Sequence, residues 1–228
     1  MLYYNPRKPP LAVPRQRDIT VPTLTDSRVR AAPSDWRVTL LVPSEISSGP
    51  ILSPFQETGG LMVFPFTPTV NLSHTANYTQ ITPTHTNYPF NAYQNSKIET
   101  ITVAGNFVVE NEADAKYWIA CLHFLRSMTK MFYGNGENLG NPPLVSRLNG
   151  YGKHVLNNIP VLITNFTVDL KSDVDYVPCT VQGVVDYAPT QSTITVQCTP
   201  NYARRTHSKF DLVKFANGGF TGTDEGFV

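Results

Sequence analysis

The stretch 192–199, STITVQCT, alternates strictly: Ile194, Val196 and Cys198 fall on one side of an extended chain, Thr193, Thr195, Gln197 and Thr199 on the other. Successive side chains of a strand point to opposite faces, so the segment predicts a strand with one face turned to a core. The other face is polar but carries no charge. Apolar residues opposite uncharged hydroxyls and amides predict an antiparallel sheet whose second face is hydrated without being ionic.

The same pattern recurs outward from this stretch. In 159–170 (IPVLITNFTVDL) Phe166, Val168 and Leu170 alternate with Asn165, Thr167 and Asp169, and in 98–109 (IETITVAGNFVV) Ile101, Val103, Phe107 and Val109 oppose Thr100, Thr102 and Asn106. Gly105 interrupts the second of these and is predicted to mark a bulge. Further strands are predicted at 36–42 (WRVTLLV), which runs into Pro43-Ser44, at 61–66 after Gly59-Gly60, and at 176–185 after the Asp-rich turn KSDVD. Residues 67–95, dense in Thr, Asn, Pro, His and Tyr, are predicted to hold short extended pieces and turns.

One segment reads as a helix. Asn111 precedes Glu112-Ala113-Asp114, a capping residue followed by acids where the helix dipole favours them. Ala113, Tyr117, Ala120, Cys121, Phe124, Met128 and Met131 then recur at spacings of three and four, and Trp118, Leu122, Leu125 and Phe132 widen the stripe. The spacing predicts a helix over 112–133, covered on more than one side and ended by Gly134. Residues 134–154 have neither period and predict a long loop. The glycines there leave a helix without starting another, which argues against a phosphate-binding loop.

The chain has 228 residues, 41% of them hydrophobic, with 14 glycines: enough for an ordinary core. Only 15% are charged, against about 25% in a usual soluble domain, so the surface is finished with neutral polar groups or buried against neighbours. A net charge of +1 excludes the uniformly basic composition of a chain that wraps nucleic acid. Residues 1–35 carry Pro6, Pro9, Pro10, Pro14, Pro22 and Pro33 with Arg7, Lys8, Arg15, Arg17, Arg28 and Arg30, predicting an extended basic arm that orders against another chain. The organisation expected is therefore an arm (1–35), a β domain (36–202) and a C-terminal tail (203–228) that gathers Arg204, Arg205, Lys209 and Lys214 and calls for a partner.

Signatures of catalysis do not stand out. His74, His85, His123, His154 and His207 lack metal-ligand spacing, and Cys121, Cys179 and Cys198 lack CxxC spacing, predicting reduced, packed thiols. No nucleophile elbow, HExxH or Walker loop occurs. The expectation is a protein that is not an enzyme and has no cofactor and no metal. Neither a signal peptide nor an apolar span of membrane length is read in the sequence, so the sequons at Asn71, Asn77 and Asn165 carry no weight.

The order of strands, an amphipathic helix ending in Phe132-Tyr133-Gly134-Asn135-Gly136, a loop Pro142-Pro143-Leu144-Val145-Ser146-Arg147-Leu148-Asn149-Gly150, a long strand, an Asp-rich turn, and a strand running from Ile194 into Arg204-Arg205 resembles the tail-tube initiator proteins of contractile-tailed bacteriophages. The likeness covers residues 97–205, more faintly 36–66. Some members carry long extra N-terminal regions, and here only about 35 residues precede the first predicted strand. The resemblance implies an α+β fold, an antiparallel β-barrel or sandwich of tail-tube type with one amphipathic helix on its outer face. It also implies a virion protein that forms a homo-hexameric ring in the baseplate, initiates the tail tube and joins it to the central hub protein. Its other neighbour would be a second initiator or the tail tube protein. Assembly would occur in the host bacterial cytoplasm, with no sequence-specific nucleic-acid contact and no membrane in the assembled state. A ring that shares its sheet among subunits would line its channel with Thr193, Thr195 and Gln197, while Ile194, Val196 and Cys198 pack on the helix bearing Tyr117, Cys121 and Phe124. Arg147, Asn149, Arg204 and Arg205 would be subunit contacts, Arg147 seeking the Asp169, Asp173 and Asp175 region of an adjacent subunit. The alternatives are a major tail tube or tube terminator protein, and a receptor- or glycan-binding tail module using the Tyr/Asn/His-rich stretch 74–93.

Overall fold

The computed structural model describes residues 36–133, 139–220 and 226–228. The predicted arm at 1–35 and Gly134 lie outside them. In chain order the elements are β1 (Thr39–Leu41), α1 (Ser44–Ser47), a 3₁₀ turn (Pro50–Leu52), α2 (Pro54–Glu57), β2 (Leu61–Val63), β3 (Thr69–Asn71), β4 (His74–Ile81), β5 (Phe90–Ile98) and β6 (Ile101–Val108). Then come α3 (Glu112–Met128), β7 (Ser146–Gly150), β8 (Leu156–Leu170), β9 (Tyr176–Val181), β10 (Val184–Pro189), β11 (Gln191–Pro200), α4 (Arg204–His207) and α5 (Leu212–Ala216).

Seven strands form one antiparallel sheet in the order β2-β1-β7-β8-β11-β6-β3, and β4-β5 and β9-β10 form separate hairpins. The class is α+β, as expected, but no closed barrel forms among the described residues. The sheet ends at β2 and β3, strands of three residues. The β2 edge is blocked against further pairing. There the Tyr117 hydroxyl accepts from Val63 N at 2.6 Å and donates to Val63 O at 2.9 Å.

One face of the sheet is the core. Leu40, Met62, Leu148, Ile159, Val103, Ile194, Val196 and Cys198 are fully buried there together with Tyr117, Cys121, Phe124 and Met128 of α3. Burying each large apolar side chain contributes about 1.5–3 kcal/mol. The Trp118 indole donates to Ser192 Oγ at 2.8 Å, tying the helix to β11. The far side of α3 is covered by β9-β10 and by the 50–57 segment, where Phe55 meets Tyr117 and Phe124 edge-on. This is why the apolar stripe is wider than one face.

At its start α3 is capped as predicted: Asn111 Oδ1 accepts from Asp114 N at 2.9 Å. Asp114 is 3% exposed; its Oδ2 accepts from Glu110 N at 3.3 Å, and its Oδ1 is buried without a partner among the described residues. Burial raises the carboxyl's pKa, and the nearby Glu110 charge adds to the rise.

Several expectations are corrected. The helix ends at Met128, not at 133: Thr129 Oγ1 donates back to Arg126 O, and Phe132 pairs instead with Gly140 and Asn141. Past Met128 no core remains for Met131 to face, and it is half-exposed. Gly105 marks no bulge, since β6 keeps register with β11 through it. Its missing side chain makes room for Phe64, whose Cδ1 would lie 2.3 Å from a Cβ at that position. The stretch 134–154 contains β7 rather than a continuous loop, 176–185 belongs to a hairpin turning at Gln182-Gly183, and 67–95 holds most of a long hairpin rather than short pieces.

Candidate functional site

The uncharged face predicted from 192–199 extends over four strands. Register places Asn165, Gln197, Thr102 and Asn71 in one row across β8, β11, β6 and β3. Thr167, Thr195, Ala104 and Thr69 form the next, and Asp169, Thr193 and Asn106 a third. All eleven are exposed or half-buried, whereas their neighbours Ile194, Val196 and Cys198 have no exposed surface. Within the third row Thr193 Oγ1 donates to Asn106 Oδ1 at 3.0 Å. Asp169 is the platform's single charge. Short hydroxyl and amide side chains of this kind hold water without fixing an ion.

The platform is open on both sides. β7 pairs with β8 only as far as Val161, so among the described residues the outward edge of 162–170 meets no strand. At the opposite side β3 pairs only with β6. The backbone groups of such edges are a template for pairing with another chain. Sequence reading found the face but not the edges, because strand order is invisible in a pattern of alternation.

Two of the proposed contact residues serve the fold. Arg147 and Asn149 project from the same side of β7, and both reach Asn158. Arg147 Nη1 donates to Asn158 O at 3.1 Å, and Asn149 Oδ1 accepts from Asn158 N at 2.7 Å. Asn158 sits at φ 54, in the left-handed region, and the pair holds it there. The chain's last described segment lies on the same spot: a Cβ at Gly226 would be 2.1 Å from Asn158 O. Arg204 and Arg205 lie exposed on α4.

The tail after β11 folds on itself. Tyr202, Phe210, Phe220 and Phe227 pack with ring centroids 5.0–6.0 Å apart, and Lys214 Nζ lies 4.5 Å from the Phe220 ring centre. Burial pushes the Tyr202 hydroxyl up to about 12. The signal was present as the spacing of aromatics, but without a period it could not be read.

Among the described residues no group of three or more His, Cys, Asp or Glu could hold a metal ion. Cys121, Cys179 and Cys198 are buried free thiols whose pKa burial raises, that of Cys198 to about 12, which keeps them protonated and unreactive. No described helix is long and apolar enough to cross a membrane. Comparison of the sequence with protein-family models and with curated proteins found no match.

Proposed function

We propose that the chain is a structural subunit that closes into a ring with copies of itself, a tail-tube initiator of a contractile phage baseplate, its platform lining the channel. The observation that carries this reading is the four-strand platform: polar, nearly uncharged, backed by core, and open along both flanking strands. A sheet with two free edges satisfies its backbone by closing on itself, and a cyclic ring of subunits does this with one repeated contact between β8 of one copy and β3 of the next. The helix, with β9-β10 over it, would then form the outer wall. Thr193, Thr195 and Gln197 would face the channel; Asp169 would give it a single circle of charge. The initiator position rather than a repeating tube position rests on the proline-rich arm, which a subunit touching only its own kind does not need.

Electron microscopy and native mass spectrometry of the purified chain test the reading. It predicts closed rings of six copies with a central channel. A monomer at high protein concentration, with no ring, would overturn it.

A further inference from the structure

A groove of about 550 Å³ opens beside the last turns of α3, between Ile46 of α1 and Leu144 of the segment that leads into β7. Its volume falls within the range of about 300–1,000 Å³ usual for binding clefts. One wall is cationic. His123, Arg126 and Ser127 share a helical face, and Lys130, whose N–H donates to Ser127 O at 3.0 Å, continues it past the helix end. At about 100° per residue this face lies opposite Tyr117, Cys121, Phe124 and Met128, which enter the core. The groove therefore opens away from the platform.

The other wall is apolar. Ile46, Phe132 and Leu144 are half-buried along it, and Met131 is half-exposed. Phe132 N donates to Asn141 O at 3.0 Å and Phe132 O accepts from Gly140 N at 2.9 Å, which fixes the segment carrying Leu144 beside the helix end. No carboxylate lines the groove; Glu45, next to Ile46 in the chain, turns its Oε2 to the Ser44 hydroxyl at 3.1 Å. Neither Arg126 nor Lys130 forms an ion pair with a described residue. Cations near a helix C-terminus complement its dipole. That accounts for the charges but leaves the apolar wall facing them uncovered.

We infer that this groove docks an extended segment of another protein in which acidic and apolar residues alternate. Side chains of an extended chain point in turn to opposite sides. One set then meets Arg126 and Lys130 while the other lies on Ile46, Phe132 and Leu144. The length of the cationic wall favours a chain over a single small anion. From His123 to Lys130 the wall runs seven residues, roughly 10 Å at helical rise, which spans carboxylates two residues apart on a strand, about 7 Å. Charge argues against the chain's own arm as the occupant, because residues 1–35 hold Arg7, Lys8, Arg15, Arg17, Arg28 and Arg30 against Asp18, Asp26 and Asp35. The groove uses no residue of the two open sheet edges, so this inference goes beyond the ring reading and does not depend on it.

The test is fluorescence polarisation of a labelled peptide, Asp-Leu-Asp-Leu-Asp-Leu, titrated with the full chain in low salt. Wild type should bind it, and added salt should weaken the complex. Peptides with Asn in place of Asp, or Ser in place of Leu, should bind about tenfold or more weakly. Arg126→Glu/Lys130→Glu should lose about tenfold or more in affinity. Arg204→Glu/Arg205→Glu makes the same change of net charge on exposed α4 and should bind as wild type does. Circular dichroism of each variant reports folding. Should the first fail to fold, Arg126→Gln/Lys130→Gln replaces it, with weakened binding expected. The inference is overturned by wild type that does not bind the peptide, by undiminished binding to the α3 variant, or by equal losses in the α3 and α4 variants. Equal binding of the Ser-containing peptide would overturn it too. Octanoate binding that depends on Arg126 and Lys130 without peptide binding would replace the segment with a small amphiphilic anion. None of these outcomes bears on ring formation, which electron microscopy reads separately.

Discussion

Replacing Gly105 by alanine probes the tightest contact in the sheet core. A Cβ there would lie 2.3 Å from Phe64 Cδ1 and 2.9 Å from Cε1, with Pro68 Cβ at 3.4 Å. Phe64 has no room to retreat: it is fully buried and packs edge-on to Phe107 at 5.8 Å. Alanine in place of a strand glycine gains about 0.5–1 kcal/mol from the unfolded chain, and overpacking costs about 1–3 kcal/mol. The overlap is deep and the neighbour rigid, so a net loss of roughly 1–2 kcal/mol is expected. Phe64→Leu alone should cost about 1.5 kcal/mol through the space it leaves. Together the two changes should cost less than their sum by at least about 1 kcal/mol, because the shortened side chain makes room for the new methyl. Urea unfolding at fixed protein concentration measures all four corners of the cycle, with equal slopes as the condition for comparing midpoints. Additive losses would refute the close-approach argument and return Gly105 to a backbone role.

The two faces of β11 should respond oppositely at adjacent positions: Val196→Thr buries a hydroxyl and costs about 1–3 kcal/mol, while Thr195→Val stays within about 0.5 kcal/mol; equal losses in urea titrations would contradict the face assignment. Asp114 has a folded pKa raised by burial, so its charged form opposes folding, and stability is lost as pH rises from the unfolded value toward the folded one. Asp114→Asn should therefore melt above wild type at pH 7, with the gap closing as pH falls through the folded pKa; a gap that widens on acidification would refute the sign. The three thiols should ignore Ellman's reagent in the native protein and all react in denaturant, and rapid reaction of any one in native buffer would contradict its burial.

How much of this was legible follows from how each element is stabilised. Residues 192–199 could be read because every second side chain enters the core and, apart from Ser192 at its start, which accepts from the Trp118 indole, that face is apolar. β7 could not: its buried positions are Ser146, Leu148 and Gly150, and only one is apolar. Ser146 is tolerated there because its hydroxyl donates to Leu41 O at 2.7 Å, and Gly150 because a Cβ would press on Val38 Cγ2 at 2.9 Å. The α3 stripe overran its true end because Met131 and Phe132 keep the helical spacing in sequence after the chain has left the helix. The β4-β5 hairpin has no buried face to impose alternation, so its strands read as scattered polar residues. The intrachain role of Arg147 and Asn149 is invisible in sequence, because nothing local reveals that a left-handed residue at position 158 is held by both.

The continuity of the platform from one copy to the next is tested most directly by a paired substitution, Thr69→Cys with Thr167→Cys. The two residues end one row, with Thr195 and Ala104 between them. Within a chain they are therefore three strand spacings, about 14 Å, apart, beyond the roughly 7 Å limit for a disulfide. The native thiols are buried and take no part. Oxidation, or treatment with a short bis-maleimide, should convert the double variant into a ladder of covalent oligomers ending in a closed ring, and should leave each single variant below that ladder. Double-variant chains that remain monomeric on a non-reducing gel would contradict edge-to-edge closure and with it the ring.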